Sequence, residues 1–91
     1  MQLQGMLKSK SQTQQVSDKF KKREFVLTTD FDGTYPQHIL IQTTQDKCAL
    51  LDSFNEGDLL TVDINIKGRE WNGGDGVKYF NSIEAWKITK N

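Results

Sequence analysis

The stretch Leu59-Leu-Thr-Val-Asp-Ile-Asn-Ile66 decides the fold. Successive side chains of a strand point to opposite faces, and here Leu60, Val62, Ile64 and Ile66 alternate with Leu59, Thr61, Asp63 and Asn65. A segment with this period of two is a strand with one apolar face and one wet face, the pattern of an antiparallel sheet that covers a core on one side only.

The same period recurs on either side. Phe25 and Leu27 carry it in FKKREFVLTT (20–29), Ile39 and Ile41 in HILIQTT (38–44), and Ile83 and Ala85, in phase with Tyr79, in KYFNSIEAWKI (78–88). Leu3 and Leu7 bracket Gly5 in a first strand, where a glycine predicts a bulge or sharp bend. Breakers separate the runs. SQTQQVSD (11–18) is polar without apolar periodicity and predicts a long mobile loop. DFDGTYP (30–36) and NEGD (55–58) read as tight connections, and NGGDG (72–76) as a glycine-rich hairpin tip. Only DKCALLDSF (46–54) reads as helical, with Thr44 and Asp46 as candidate caps and Leu50 and Phe54 four apart on one face. Three strands, a short helix and two strands give an all-β domain spanning residues 1–91. The expected architecture is a five-stranded Greek-key barrel of the OB type, with one short helix between strands 3 and 4.

Composition narrows the function. With 91 residues, 35% of them apolar and 26% charged, the chain supports one small core and no large enzyme scaffold. Cys48 is the single cysteine, which excludes an intramolecular disulfide or a cysteine metal cage and predicts a small buried thiol. No apolar run approaches the roughly 20 residues needed to span a bilayer, and the first residues lack a signal-peptide core. The expectation is a cytoplasmic protein with no membrane partner. Formal net charge is zero, but it is unevenly spread. Lys8 to Arg23 holds six bases against Asp18, and Asp30 to Asp63 holds seven acids against Lys47. Lys67 to Lys90 holds five bases and three acids.

The stretch FNEGDLLTVDINIKGREWNGGDGVKYFNSIEAW (54–86) resembles bacterial and phage single-stranded-DNA-binding OB domains. FKKREFVLTT, YPQHILI, GREWNG and EAWKI are similar to a family of short bacterial and phage OB proteins related to them. The resemblance covers nearly the whole chain and implies non-catalytic binding of single-stranded DNA, with RNA as the other polymer of that kind. It also implies assembly as a homo-dimer or homo-tetramer. The family often carries a Trp-Gly pair after the third strand, where this sequence reads Thr44 and Gln45.

Binding a single strand without reading its sequence needs cations along the phosphate track and exposed rings on which bases stack. Lys8, Lys10, Lys21, Lys22, Tyr35, His38, Trp71, Lys78, Phe80 and Trp86 supply both. In an OB barrel the first long loop, strands 2 and 3 and the last hairpin border one groove. His38 lies out of phase with Ile39 and Ile41, so its ring is expected to face outward there. The packing alternative has Phe80 and Trp86 covering a barrel end, Tyr35 lying over Pro36 and the lysines forming an ordinary solvated face. In the alternative function, an OB-fold protein-protein interaction or oligomerisation module, the same aromatics form a subunit contact.

Enzymatic readings fail on their requirements. Asp30 and Asp32 in VLTTDFDGTY match an Asp-x-Asp-Gly-Thr phosphatase signature, but that chemistry needs a Rossmann-like sheet and further loop residues for which this alternating pattern has no room. A calcium loop starting at Asp30 needs Glu at its twelfth position, which is Ile41. No metal, cofactor or catalytic residue is expected.

Overall fold

Strand β1 (Gln2–Lys10) changes partners midway along its length. Gln2 to Met6 pairs antiparallel with β5 (Leu59–Gly73), whereas Met6 to Lys10 pairs antiparallel with β3 (Phe20–Thr29). The change falls at Met6, and its neighbour Gly5 is buried against β3 so closely that a Cβ there would collide with the Thr28 carbonyl oxygen. The bulge lies further on, at Lys8, between Leu7 and Ser9. From β3 the sheet continues to β4 (Gln37–Thr44), and from β5 to β6 (Gly76–Lys90). A parallel contact at Gln42 and Glu84 joins β4 to β6 and closes the barrel. Thr44 Oγ1 donates to Glu84 Oε1 at 3.3 Å across that seam, and Lys67 Nζ lies 3.1 Å from Glu84 Oε2. The structure, a computed structural model, describes all of residues 1–91.

The five expected strands are thus β1, β3, β4, β5 and β6, and the expected short helix lies between β4 and β5, as the OB layout requires. One element departs from expectation. Within SQTQQVSD, Gln14–Ser17 forms a further short strand, β2, hairpinned to β3. All four residues of β2 are exposed, so no apolar alternation marks it, and only main-chain pairing defines it.

The helix, Gln45–Ser53, is a 3-10 helix. Its buried residues Cys48 and Leu51, with Phe54 beyond its end, fall three apart, which is the 3-10 period rather than the four-residue spacing expected of Leu50 and Phe54. Leu50 is only half-buried. Thr44 occupies the N-cap position without a side-chain cap, and Asp46 sits in the first turn. Gln45 begins the helix at φ 52°, a left-handed conformation that costs a non-glycine residue on the order of 1–3 kcal/mol. This is the position at which the family resemblance leads one to expect glycine.

Leu7, Phe25, Leu27, Ile41, Leu51, Phe54, Leu60, Val62, Ile64 and Ala85 form the core, with Leu3, Ile39, Ile83 and Ile88 packed at its margin. Cys48 is buried beside it. Ile66 and Tyr79, expected in phase with this core, are 60% and 72% exposed. The reason is geometric: β5 and β6 run on past the barrel as a two-stranded arm, and from Asn65 to Asn81 every residue except Gly73 is exposed. The arm accounts for a radius of gyration of 14.5 Å, against about 12 Å for a compact chain of this length.

Two cations fasten the helix to the barrel. Lys10 Nζ donates to the carbonyl oxygens of Leu51 at 3.0 Å and Phe54 at 2.7 Å. Arg23, itself buried, donates to the Ser11 and Cys48 carbonyls at 2.7 and 3.2 Å and to Asp52 Oδ1 at 2.7 Å. The hydrogen bond from Arg23, and then its charge, hold the Asp52 carboxyl below its ordinary value of 3.8. A carboxyl depressed by folding stabilises the folded state above its unfolded value, and that contribution is lost as pH falls through the folded value.

Two measurements check this account. Gly5→Ala is expected to lower stability by about 1–3 kcal/mol through overpacking, and an unchanged urea midpoint would contradict the close approach of β1 to β3. Asp52→Asn is expected to be less stable than the parent at neutral pH, with the gap closing below pH 3.8 as Asp52 protonates in the parent. Urea midpoints recorded from pH 6 to pH 2 decide this, and a gap that stays constant to the lowest pH counts against it.

Candidate nucleic-acid interface

Alternation along the two paired strands of the arm gives it two unlike faces. On one face, rungs pair Lys67 with Ser82, Arg69 with Phe80 and Trp71 with Lys78. On the other, they pair Ile66 with Ile83, Glu70 with Tyr79 and Asn72 with Val77. These three rungs therefore interleave three cations with two rings, and the next rung, Asn65 with Glu84, puts one carboxylate at the base of the same face, where it pairs with Lys67. Arg69 lies 6.0 Å from the centroid of Phe80, and Lys78 Nζ lies 5.9 Å from the centroid of Trp71, both within cation–π range. Phe80 is 51% exposed and Trp71 48%. The indole lies over Gly73, where a Cβ would collide with its ring, so that glycine provides the flat bed on which Trp71 rests.

This face looks across an open trough of about 670 Å³ toward the β2–β3 hairpin. Lys67, Arg69 and Phe80 line the arm side, Val16, Phe20 and Lys22 the hairpin side, and Gln42 of β4 the floor. Beyond Gln42 and Ser82 the depression continues into a second hollow of about 370 Å³, where Glu24 and Leu40 stand on the outer face of β3 and β4. Lys22, Lys67 and Arg69 thus line the first hollow, and the carboxylate of Glu24 stands in the second.

Of the ten residues singled out from the sequence, Lys22 and Phe80 line this trough, and Trp71 with Lys78 extends it by one rung toward the arm tip. The structure does not bring the other six to it. Lys10 is committed to the helix carbonyls. Lys21 follows the inward phase of Arg23, so the Lys21-Lys22 pair is divided between two faces of β3. Lys8 is the bulged residue of β1, exposed and outside both hollows. Tyr35 is 80% exposed in the β3–β4 connection. His38 does face outward, with Nδ1 2.9 Å from the Thr28 hydroxyl, but stands four residues along β4 from Gln42, about 14 Å away. Trp86 occupies the bulge of β6 between Ala85 and Lys87, without a cross-strand partner, which takes it out of the arm's register.

Sequence reasoning missed Phe20, Lys67 and Arg69. The last two were within reach, because a two-residue turn at Gly74-Asp75 fixes Gly73 opposite Gly76, and counting back places Arg69 opposite Phe80. Phe20 gave no such signal, since its exposure at the trough depends on the unmarked strand β2.

Comparison with solved structures finds the same barrel in single-stranded-DNA-binding proteins. The mitochondrial protein Rim1 of S. cerevisiae superposes with a TM-score of 0.70 at 14% identity, over 99% of this chain and 91% of that one. The wild-type single-stranded DNA binding protein of Thermus aquaticus gives a TM-score of 0.73 at 18% identity, again over 99% of this chain. The chain spans about half of the Thermus protein, 48% of its length. At such identities the likeness establishes the fold. No curated protein matches the chain. A family model matches residues 2–89, almost the full barrel and both strands of the arm, and on that match the chain belongs to the family described as Domain of unknown function (DUF3127).

Proposed function

We propose that the chain binds single-stranded nucleic acid, DNA in the first instance, along the trough between the arm and the β2–β3 hairpin, without catalysing a reaction. The observation that carries this reading is the outer part of the arm face, on which Arg69 with Phe80 and Lys78 with Trp71 form consecutive acid-free rungs opposite Lys22 and Phe20. Rungs two residues apart along a strand are about 6.8 Å apart, so each ring has a cation beside it for the adjoining phosphate. Stacking needs no particular base, because every base has a π-face, and each stacked ring contributes about 1–3 kcal/mol. The structural neighbours, which are single-stranded DNA binding proteins, support the same reading. The small barrel fits a binding module rather than an enzyme.

A second reading, self-association, is favoured by the opposite face of the arm. Ile66, Val77 and Tyr79 are 60%, 50% and 72% exposed there. A two-stranded ribbon is marginally stable in water by itself, and a second copy of the chain laid on this face would cover the apolar side chains while leaving the cationic face free.

Titration of tryptophan emission with oligo-dT is expected to show quenching, with Phe80→Ala weakening binding by roughly 5- to 150-fold. Lys22, Arg69 and Lys78 as free phosphate contacts predict a slope of about −2 for log affinity against log salt. Lys22→Glu with Arg69→Glu is expected to flatten that slope. Parallel titrations with RNA and duplex DNA define the polymer, and no quenching or mobility shift at low salt removes the proposal. For self-association, light scattering is expected to give a multiple of the 10.4 kDa chain mass that falls to one chain on Tyr79→Glu. A monomer at all concentrations excludes it.

A further inference from the structure

Gln45 sits at the start of the 3-10 helix in the left-handed region, at φ 52°, which side-chain-bearing residues seldom enter. Glycine adopts the same backbone without strain, and the Gln45 side chain adds nothing to the core, being exposed. Its terminal amide reaches instead to the tip of the β2–β3 hairpin. Nε2 donates to the Lys19 carbonyl at 2.8 Å, and Oε1 accepts from the Lys21 backbone N–H at 3.3 Å. One side chain thus holds the main chain on both sides of Phe20. The β3–β4 ladder ends at Lys22 and Thr44, and beyond it the tip has few other restraints, since β2 is exposed throughout and pairs only with β3.

We infer that Gln45 is a positioning residue: its amide fixes the hairpin tip relative to β4 and so presents Phe20 to the trough beside Lys22. The strained backbone is the conformation from which this side chain reaches the tip. The strut stands on the geometry of the free protein, whereas its consequence for the ligand rests on the single-strand reading proposed above.

Two variants separate these steps. Gln45→Gly removes the amide and relieves the backbone. Gln45→Asn keeps an amide and tolerates the left-handed region, but is one methylene too short to reach. In both, amide hydrogen exchange at Lys21 and along the hairpin of the free protein is expected to quicken about tenfold. The thermal midpoint of Gln45→Gly is expected to be unchanged or raised. Affinity for oligo-dT at low salt is expected to fall by roughly three- to tenfold in both variants. Loss of binding without loss of stability is what a merely structural residue does not give. Unchanged exchange in either variant overturns the strut. Faster exchange with undiminished oligo-dT affinity overturns the positioning role. If the parent chain does not bind oligo-dT, the single-strand reading fails and the positioning role with it, while the exchange comparison still decides the strut.

Discussion

The structure depends on β1 serving two neighbours at once. A strand that leaves β5 for β3 within nine residues has to cross the sheet at close quarters, and Gly5 lets its backbone lie against the Thr28 carbonyl. With that crossing made, the sheet curls far enough for β4 and β6 to meet at Gln42 and Glu84. The contact is narrow, and the side chains of Thr44 and Lys67 converge on Glu84 to reinforce it. Closure also turns the outer surface of β3 and β4 toward the base of the arm, and the trough is the space this leaves.

The two walls of the trough are held in different ways. The arm is a regular antiparallel ribbon whose register is set by its glycine tip, so its cations and rings are placed by pairing alone. The hairpin wall is a short polar strand with no buried side chain, and side-chain amides complete what pairing leaves loose: Gln15 bonds the Ser17 carbonyl within the hairpin, and Gln45 bonds its tip from outside. Two of the six basic residues from Lys8 to Arg23 serve the barrel rather than its surface. Lys10 and Arg23 spend their hydrogen bonds on helix carbonyls and Asp52, and charge that is consumed in this way offers little to a polyanion.

Much of the barrel was legible in the sequence because burial writes a period of two into each strand. Phe25, Leu27, Ile41, Leu60, Val62, Ile64 and Ala85 all point inward as that period requires. Legibility stopped where burial stopped. β2 has no inward face, and Ile66 and Tyr79 keep the apolar phase after the strands have left the core, so alternation could neither reveal the one nor flag the others. The candidate site was legible in kind and only partly in place. Lys22, Trp71, Lys78 and Phe80 lie on the trough or its extension, but local phase could not tell Lys21 from Lys22, nor anticipate the bulges that carry Lys8 and Trp86 elsewhere.

By itself the sequence determined the all-β class, the order of the five barrel strands and helix, the buried thiol of Cys48 and the supply of cations and rings. Each of these follows from residue type and near-neighbour spacing. Tertiary structure alone decided which cations are free, which rings share a face and where the hairpin of β2 stands. Those outcomes depend on contacts between residues dozens of positions apart, such as Lys10 with Phe54 or Gln45 with Lys19, and local spacing carries no record of them.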